Sequence, residues 1–168
     1  MDTYDAVRTM LAVRQYQDKP IPEDVVQKIV EAGHLSGSSM NLQPWRFVVV
    51  QNRETLRRIG ELAKSGPYVA QAALAVVVAI EKTQFAVSDA SRAIQSMMLY
   101  AWSEGIGSNW VGFSGLASVN ALIGIPADLD ILAIVPFGYP ATAIGRGKKK
   151  RKPLAEVAFK ERYGTPFA

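Results

Sequence analysis

The chain of 168 residues contains no cysteine and only one histidine. The absence of cysteine excludes disulfides, thiolate metal sites and cysteine nucleophiles, so any chemistry must come from other side chains or from a cofactor. The single histidine, His34, falls in a helical pattern, which favours a structural or surface position over a general base. Since no triad or metal-ligand cluster is present either, we predict neither a catalytic side chain nor a metal ion.

Long hydrophobic runs are also missing. The longest, from Val69 to Ile80, is interrupted by Gln71 and falls short of the roughly 18 residues of a membrane-spanning helix. The first residues, Met-Asp-Thr-Tyr-Asp, lack the basic and apolar segments of a secretory signal. Because 49% of the residues are hydrophobic and no linker or repeat divides the chain, we expect one domain over residues 1–168, in the cytoplasm and without a membrane partner.

The formal net charge of +4 comes from one short run, Lys148 to Lys152, which carries five positive charges. The rest of the chain is therefore close to neutral. Such a run is typical of a solvated segment, a phosphate site, a nuclear-targeting signal or a nucleic-acid patch. No aromatic residues alternate with these lysines to stack on bases, so we predict no nucleic-acid partner.

Helical and strand patterns alternate along the chain. Pro22 and the two acidic residues after it predict a helix that ends near Gly37. Ser88 and Asp89 are predicted to cap a long central helix that ends before Gly105. The other predicted elements are strands at 46–50, 72–80, 110–113 and 131–137, and helices at 53–64 and 117–123. By itself, this alternation favours a parallel α/β sheet.

The most informative segment lies between the first of these helices and the first strand, and it reads Gly37-Ser38-Ser39-Met40-Asn41-Leu42-Gln43-Pro44-Trp45-Arg46-Phe47. Its short hydroxyl and amide side chains surround backbone N–H groups, which suits an oxygen-rich ligand such as a ribityl chain or the edge of a heteroaromatic ring. Loops rich in Ser and Asn are also common as plain turns, and the residues alone leave both interpretations open.

Three further motifs accompany this loop in a fixed order. The four motifs are Ala12-Val13-Arg14-Gln15-Tyr16 followed by Pro20-Ile21-Pro22, then Asn41-Leu42-Gln43-Pro44-Trp45, Gly105 to Gly112, and Gly138-Tyr139-Pro140 leading to Lys149-Lys150-Arg151-Lys152-Pro153-Leu154. Together they resemble the FMN-dependent nitroreductase family. The resemblance implies an α+β fold, a nitroreductase-like α/β/α sandwich with a mixed central sheet, in an intertwined homodimer. Residues 154–168, with Phe159, Tyr163 and Phe167, would form a C-terminal arm toward the partner subunit.

The resemblance also implies an FMN site. Arg14 matches the cation near the pyrimidine edge of the flavin, where it stabilises negative charge on the reduced ring. Gly112 and Phe113 match the place where a backbone N–H meets flavin N5, and glycine allows a close approach. Lys149 and Arg151 match a basic pair on the FMN phosphate.

The loop of the opposite subunit would complete this FMN site. Ser38, Ser39 and Asn41 match residues that reach the flavin, whereas Gln43 either does the same or ties the loop to its dimer partner. Trp45 is better interpreted as a core anchor. Trp110 fits the flavin pocket and the core equally well.

Two departures from the family pattern bear on FMN binding. Met10-Leu11-Ala12 stands where typical members carry an arginine and a hydroxyl, which predicts weaker FMN binding unless Arg8 substitutes. The chain is also short between Lys64 and Ala72 and between Lys82 and Ser88, regions that often supply pocket walls. The substrate preference is therefore open.

With FMN bound, NADH or NADPH would deliver a hydride to flavin N5 and be replaced by a nitroaromatic, quinone or similar small acceptor in a ping-pong reaction. No Rossmann fingerprint is present to choose between the two nucleotides. Iodotyrosine dehalogenation and fragmentation of reduced flavin are other reactions of this fold. A flavin-binding or sensing module without turnover is the alternative from another class.

Overall fold

A computed structural model describes residues 1–144 and 149–167 of the chain. Lys148, the first residue of the basic run, lies outside them. The helices are α1 (Thr3–Thr9), α2 (Glu23–His34), α3 (Arg53–Leu62), α4 (Ala86–Ser103) and α5 (Ala117–Ile123), and the strands are β1 (Trp45–Val50), β2 (Leu74–Ile80), β3 (Gly107–Ser108) and β4 (Asp130–Gly138). Short 3-10 turns span Ser39–Asn41, Pro67–Gln71 and Leu154–Glu156.

The four strands form one sheet in the order β1-β2-β4-β3, and all of their pairings are antiparallel. A parallel sheet, which helix and strand alternation alone favours, is therefore wrong. The cause is that β2 is covered on both faces, so its continuous apolar run looks like a parallel strand. A single parallel bridge joins Ala12 to Ser108 at the β3 edge, which makes the sheet mixed there.

The sheet separates two apolar cores. Leu74, Val76, Val78 and Ile80 of β2 face one core, which contains buried residues of α2 and α4. The intervening β2 residues Ala75, Val77 and Ala79 face the other core, which α3 and α5 cover. This period of two is what a strand requires, and it builds the three layers of an α/β/α sandwich.

Helix α4 is the central helix, as predicted, but it begins earlier than expected. It starts at Ala86 after Phe85, so Ser88 and Asp89 lie in its first turn and do not cap it. Met97 fills the core against Gly33, and Gly105 adopts φ 75° just after the helix end. Across the described residues, neither α4 nor any shorter helix combines the length and the apolar character needed to cross a bilayer.

Two other segments differ from the sequence prediction. The expected strand at 110–113 is reduced to a bridge between Val111 and Ile134, and the Trp110 side chain packs against Gly112. Helix α1 has no counterpart in the prediction. The Asp2 carboxylate caps it by accepting from the backbone N–H of Asp5.

The segment that leads to Arg14 packs closely against the β3 edge. The Val13 N–H donates to the Ser108 carbonyl over 2.9 Å, and the Tyr16 hydroxyl donates to the Val13 carbonyl over 2.7 Å. Tyr16 packs on Gly138, while Val13 packs on Gly107. Arg14 is therefore held at a fixed place between two buried neighbours.

Gly107→Ala tests the packing of Val13 on Gly107. A Cβ atom at residue 107 would lie 2.2 Å from Cγ2 of Val13, a stiff β-branched side chain. We expect the free energy of unfolding, measured by urea titration, to fall by about 1–3 kcal/mol. Gly37→Ala is the matched control, because nothing lies within 4 Å of a Cβ at that position. Equal stability of the two variants would contradict the close packing of Val13 on Gly107.

Candidate functional site

Arg14 lies on an open groove. The groove has a volume of about 250 Å³ and is lined by residues 12–15 together with Pro140, Thr142 and Ile144. The Arg14 side chain is exposed and makes no hydrogen bond or ion pair with residues 1–144 or 149–167. This cation is therefore available to an anionic or electron-rich ligand in the groove.

Lys149 and Arg151 form a second group of positive charge. The Lys149 ammonium donates to the Val7 carbonyl, one of the free carbonyls at the end of α1. Burial lowers the pKa of Lys149, and the positive charge of Arg151 lowers it further. Neither side chain pairs with a carboxylate within the described part of the chain. The pair is thus a positive region that no described carboxylate neutralises.

The loop from Ser38 to Gln43 is held by its own side chains. Ser38 Oγ accepts from the Gln43 backbone N–H over 2.9 Å, and Gln43 Nε2 donates to Asn41 Oδ1 over 3.2 Å. Met40, Asn41 and Gln43 adopt φ values of 52°, 56° and 49°, although none is glycine. Such left-handed residues cost about 1 kcal/mol each and need support from their surroundings.

The support comes in part from Asp89, whose side chain is fully buried in the first turn of α4. Asp89 Oδ2 accepts from the Ser39 backbone N–H over 2.9 Å, and Oδ1 accepts from the Ser39 hydroxyl over 3.1 Å and from Arg92. Burial by itself would raise the pKa of Asp89, but the hydrogen bonds from Ser39 and Arg92 outweigh burial and lower it. The sequence pattern missed this contact because it joins residues 50 positions apart.

Gly112 and Phe113 lie on the turn after β3. A Cβ atom at Gly112 would be 2.4 Å from Trp110 Nε1, so glycine is needed there to fit the indole. Trp110 is half-buried against the α2 and α4 core, whereas the Phe113 side chain is 91% exposed. The turn therefore presents an aromatic ring to its surroundings and gives Trp110 a core contact.

The two groups of candidate residues lie at opposite ends of α4. Ser39 bonds to Asp89 in the first turn, whereas Thr9, five residues before Arg14, accepts from Trp102 Nε1 over 3.0 Å near the last turn. The rise of an α-helix puts Asp89 and Trp102 about 20 Å apart. Within one chain, the Ser38–Gln43 loop is therefore remote from the opening segment that carries Arg14.

Four other residues singled out in the sequence have clear positions. Trp45 is buried in the α2 and α4 core, which confirms it as a core anchor, and His34 is exposed at the end of α2. Met10 packs against an apolar cluster. Arg8, the expected substitute for the missing basic residue, forms an ion pair of 2.7 Å with Asp5, so its charge is already partly neutralised.

The chain combines an α/β/α sandwich with four motifs in a fixed order, and both features can be compared with known proteins. The model of the Nitroreductase family matches residues 8–83 and 75–139. A candidate NADH dehydrogenase/NAD(P)H nitroreductase of Methanothermobacter thermautotrophicus is 36% identical over 150 residues, which cover 84% of this chain and 78% of that protein. The chain belongs to the nitroreductase family.

Two further relatives agree with this assignment. A protein of Bacillus subtilis named FMN reductase [NAD(P)H] is 24% identical over 175 residues, which cover 90% of this chain and 70% of that protein. The crystal structure of a candidate NADH dehydrogenase/NAD(P)H nitroreductase from Bacteroides thetaiotaomicron has a TM-score of 0.87 at 26% identity and covers 96% of this chain and 98% of that one.

Lys149→Ala tests whether the lysine supports α1 when no ligand is bound. Loss of the Val7 contact should destabilise the end of the helix by about 0.3–1 kcal/mol, since a cation there favours the free carbonyls. We expect faster amide hydrogen exchange at the last turn of α1. Lys150→Ala removes the same charge from an exposed neighbour and should leave that exchange unchanged. Equal exchange in the two variants would show that Lys149 does not support the helix.

Proposed function

We propose that the chain is an FMN-dependent oxidoreductase that takes electrons from NADH or NADPH and passes them to a small acceptor such as a nitroaromatic or a quinone. Family membership supports the reaction class. The observation that carries the site is the set of three cations, exposed Arg14 and Arg151 and half-buried Lys149, which have no counter-charge in the described structure. A dianionic phosphate and a flavin ring that becomes negative on reduction are ligands of matching charge.

The residues present fit FMN on the chemistry of their donors. The guanidinium of Arg151 can hold a phosphate through two parallel hydrogen bonds, and Lys149 adds a point charge. Burial lowers the pKa of Lys149 and repulsion from Arg151 lowers it further, and an anion bound beside both cations would relieve that repulsion. Met10 packs in an apolar cluster and Arg8 pairs with Asp5, so phosphate binding depends on Lys149 and Arg151.

FMN, when bound, supplies hydride acceptance and electron transfer, and the protein supplies binding and electrostatics. Arg14 would stabilise negative charge at the pyrimidine edge of the ring. The backbone N–H groups of Gly112 and Phe113 would contact the central ring, while Asn41 and Gln43 would offer amide groups to its polar edge. The exposed ring of Phe113 would border the space where nucleotide and acceptor bind in turn.

The positions of these residues support a homodimer. Arg14 and the Ser38–Gln43 loop are too far apart along α4 to contact one flavin ring within a single chain. A second copy of the chain would bring its loop to the first copy's Arg14. The contact surface is available, because Leu35, Met40 and Leu42 around the loop are exposed.

Residues 154–168 would extend this contact as an arm on the partner subunit. Leu154, Val157 and Phe167 are each more than half exposed, and Tyr163 is 93% exposed. The Tyr163 ring contacts chiefly Phe159, with ring centroids 4.6 Å apart. At the same time β1 is an edge strand whose outer side has no partner among the described residues. A second subunit that covers both features would remove an aggregation-prone edge.

The first test is an FMN titration of the apoprotein, followed by anaerobic addition of NADH or NADPH. We expect FMN to bind at about micromolar concentration and its visible absorbance to bleach with the nucleotide. Arg14→Ala should weaken FMN binding about tenfold without loss of stability, because the side chain makes no described hydrogen bond that would be lost. Arg58→Ala, an equal change of charge at an exposed position of α3, should bind FMN as the wild type does.

Three outcomes separate the candidate functions. Bleaching followed by reoxidation with a quinone supports an oxidoreductase. FMN binding without bleaching by either nucleotide would support the flavin-binding or sensing module instead. Failure to bind FMN would reject both.

Sedimentation equilibrium tests the dimer. We expect twice the mass of one chain for the wild type and a shift toward one chain for Tyr163→Ser, which removes an exposed aromatic ring from the arm. Lys160→Ser changes a polar residue of the same arm and should remain dimeric. A wild-type protein with the mass of one chain would contradict the proposed dimer.

A further inference from the structure

Ser39 is not free to bind a ligand as a hydrogen-bond donor, because both its backbone N–H and its hydroxyl already donate within the chain. Its backbone N–H donates to Asp89 Oδ2 over 2.9 Å and its hydroxyl donates to Asp89 Oδ1 over 3.1 Å. The carboxylate that accepts them is fully buried and is also paired with Arg92. A charged acceptor in such a place gives hydrogen bonds about twice as strong as neutral ones.

Hydrogen bonds anchor the Ser38–Gln43 loop before it, after it and at Ser39. Before it, Ser36 Oγ donates to Ser96 Oγ of α4 over 2.9 Å. After it, the Pro44 carbonyl accepts from the Glu81 N–H over 3.0 Å, next to buried Trp45. Among the described residues of α4, only Asp89 hydrogen-bonds within residues 38–43, and it does so directly before left-handed Met40 and Asn41.

We propose that Asp89 is a positioning residue. Its buried carboxylate accepts both hydrogen bonds from Ser39, a pair of contacts called the Asp89–Ser39 clasp. The clasp holds the Ser38–Gln43 loop in the left-handed form that presents Asn41 and Gln43 to FMN. Ser39 then acts through Asp89 and not as a hydrogen-bond donor to the flavin. The inference rests on the proposed function, since it concerns how the FMN loop is positioned.

Asp89→Asn is a sharp perturbation of this clasp. An amide has one oxygen, so its NH₂ group must face either the Ser39 N–H or the Ser39 hydroxyl together with Arg92. At least one charge-assisted bond is lost, while the volume of the side chain stays nearly the same. Ser96→Ala is the matched control, because it removes an α4 hydrogen bond next to the same loop without affecting Ser39.

The experiment combines two readouts on wild type, Asp89→Asn, Ser39→Ala, the double variant and Ser96→Ala. Amide hydrogen exchange of residues 39–43 without ligand reports the clasp itself, and FMN titration reports its effect on binding. We expect faster exchange and about tenfold weaker FMN binding in Asp89→Asn, and less than about a twofold change in Ser96→Ala. The double variant should bind no more weakly than Asp89→Asn, since Ser39 acts through Asp89.

Other results would overturn the proposal. FMN affinity of Asp89→Asn equal to that of the wild type would do so while leaving the proposed function intact. An equal loss in Ser96→Ala would show a general effect of α4 stability, and additive losses in the double variant would make Ser39 a direct ligand. A wild type that binds no FMN would reject the proposed function, and the positioning role with it. If Asp89→Asn does not fold, Ser39→Ala decides, and unchanged exchange of residues 40–43 overturns the clasp.

Discussion

Burial of α4 between α2 and the sheet determines where the Ser38–Gln43 loop and the segment that carries Arg14 lie. Its alanine-rich face, with Ala90, Ala93 and Ile94, is fully buried, and Met97 fits against Gly33 of α2. Close packing of small residues leaves little freedom for the helix to slide or rotate. Its first turn holds the Ser38–Gln43 loop through Asp89, and its last turn holds the opening segment through Trp102 and Thr9.

In the proposed function, the same helix explains why one chain alone would offer an incomplete FMN site. About 20 Å of α4 lies between the turn that contacts the polar loop and the turn that contacts the segment leading to Arg14. No movement of side chains closes that distance. The cations at one end lack counter-charges among the described residues, while the loop at the other end is surrounded by exposed Leu35, Met40 and Leu42. The exposed apolar side chains are unfavourable for an isolated chain. In the proposed dimer, a second copy would cover these apolar side chains, and FMN would supply negative charge to the cations.

Local sequence signals predicted much of this fold. The helical spacing of Leu56 and Ile59 and the apolar runs of β2 and β4 gave elements within about two residues of those in the structure. The family motifs indicated the sandwich, which apolar periodicity could not. Periodicity reports which face of an element is buried, but antiparallel and parallel strands covered on both sides have the same apolar pattern.

Asp89 marks the limit of such signals at the candidate site. Near the start of a helix, Asp most often caps it, and the pattern predicted that role. In the structure Phe85 precedes the helix, and the carboxylate is instead used across 50 residues of sequence on Ser39. A buried charge is costly unless several donors surround it, and three are present here, two from Ser39 and one from Arg92. Together with the hydrogen bonds inside the loop, these bonds support three left-handed residues other than glycine.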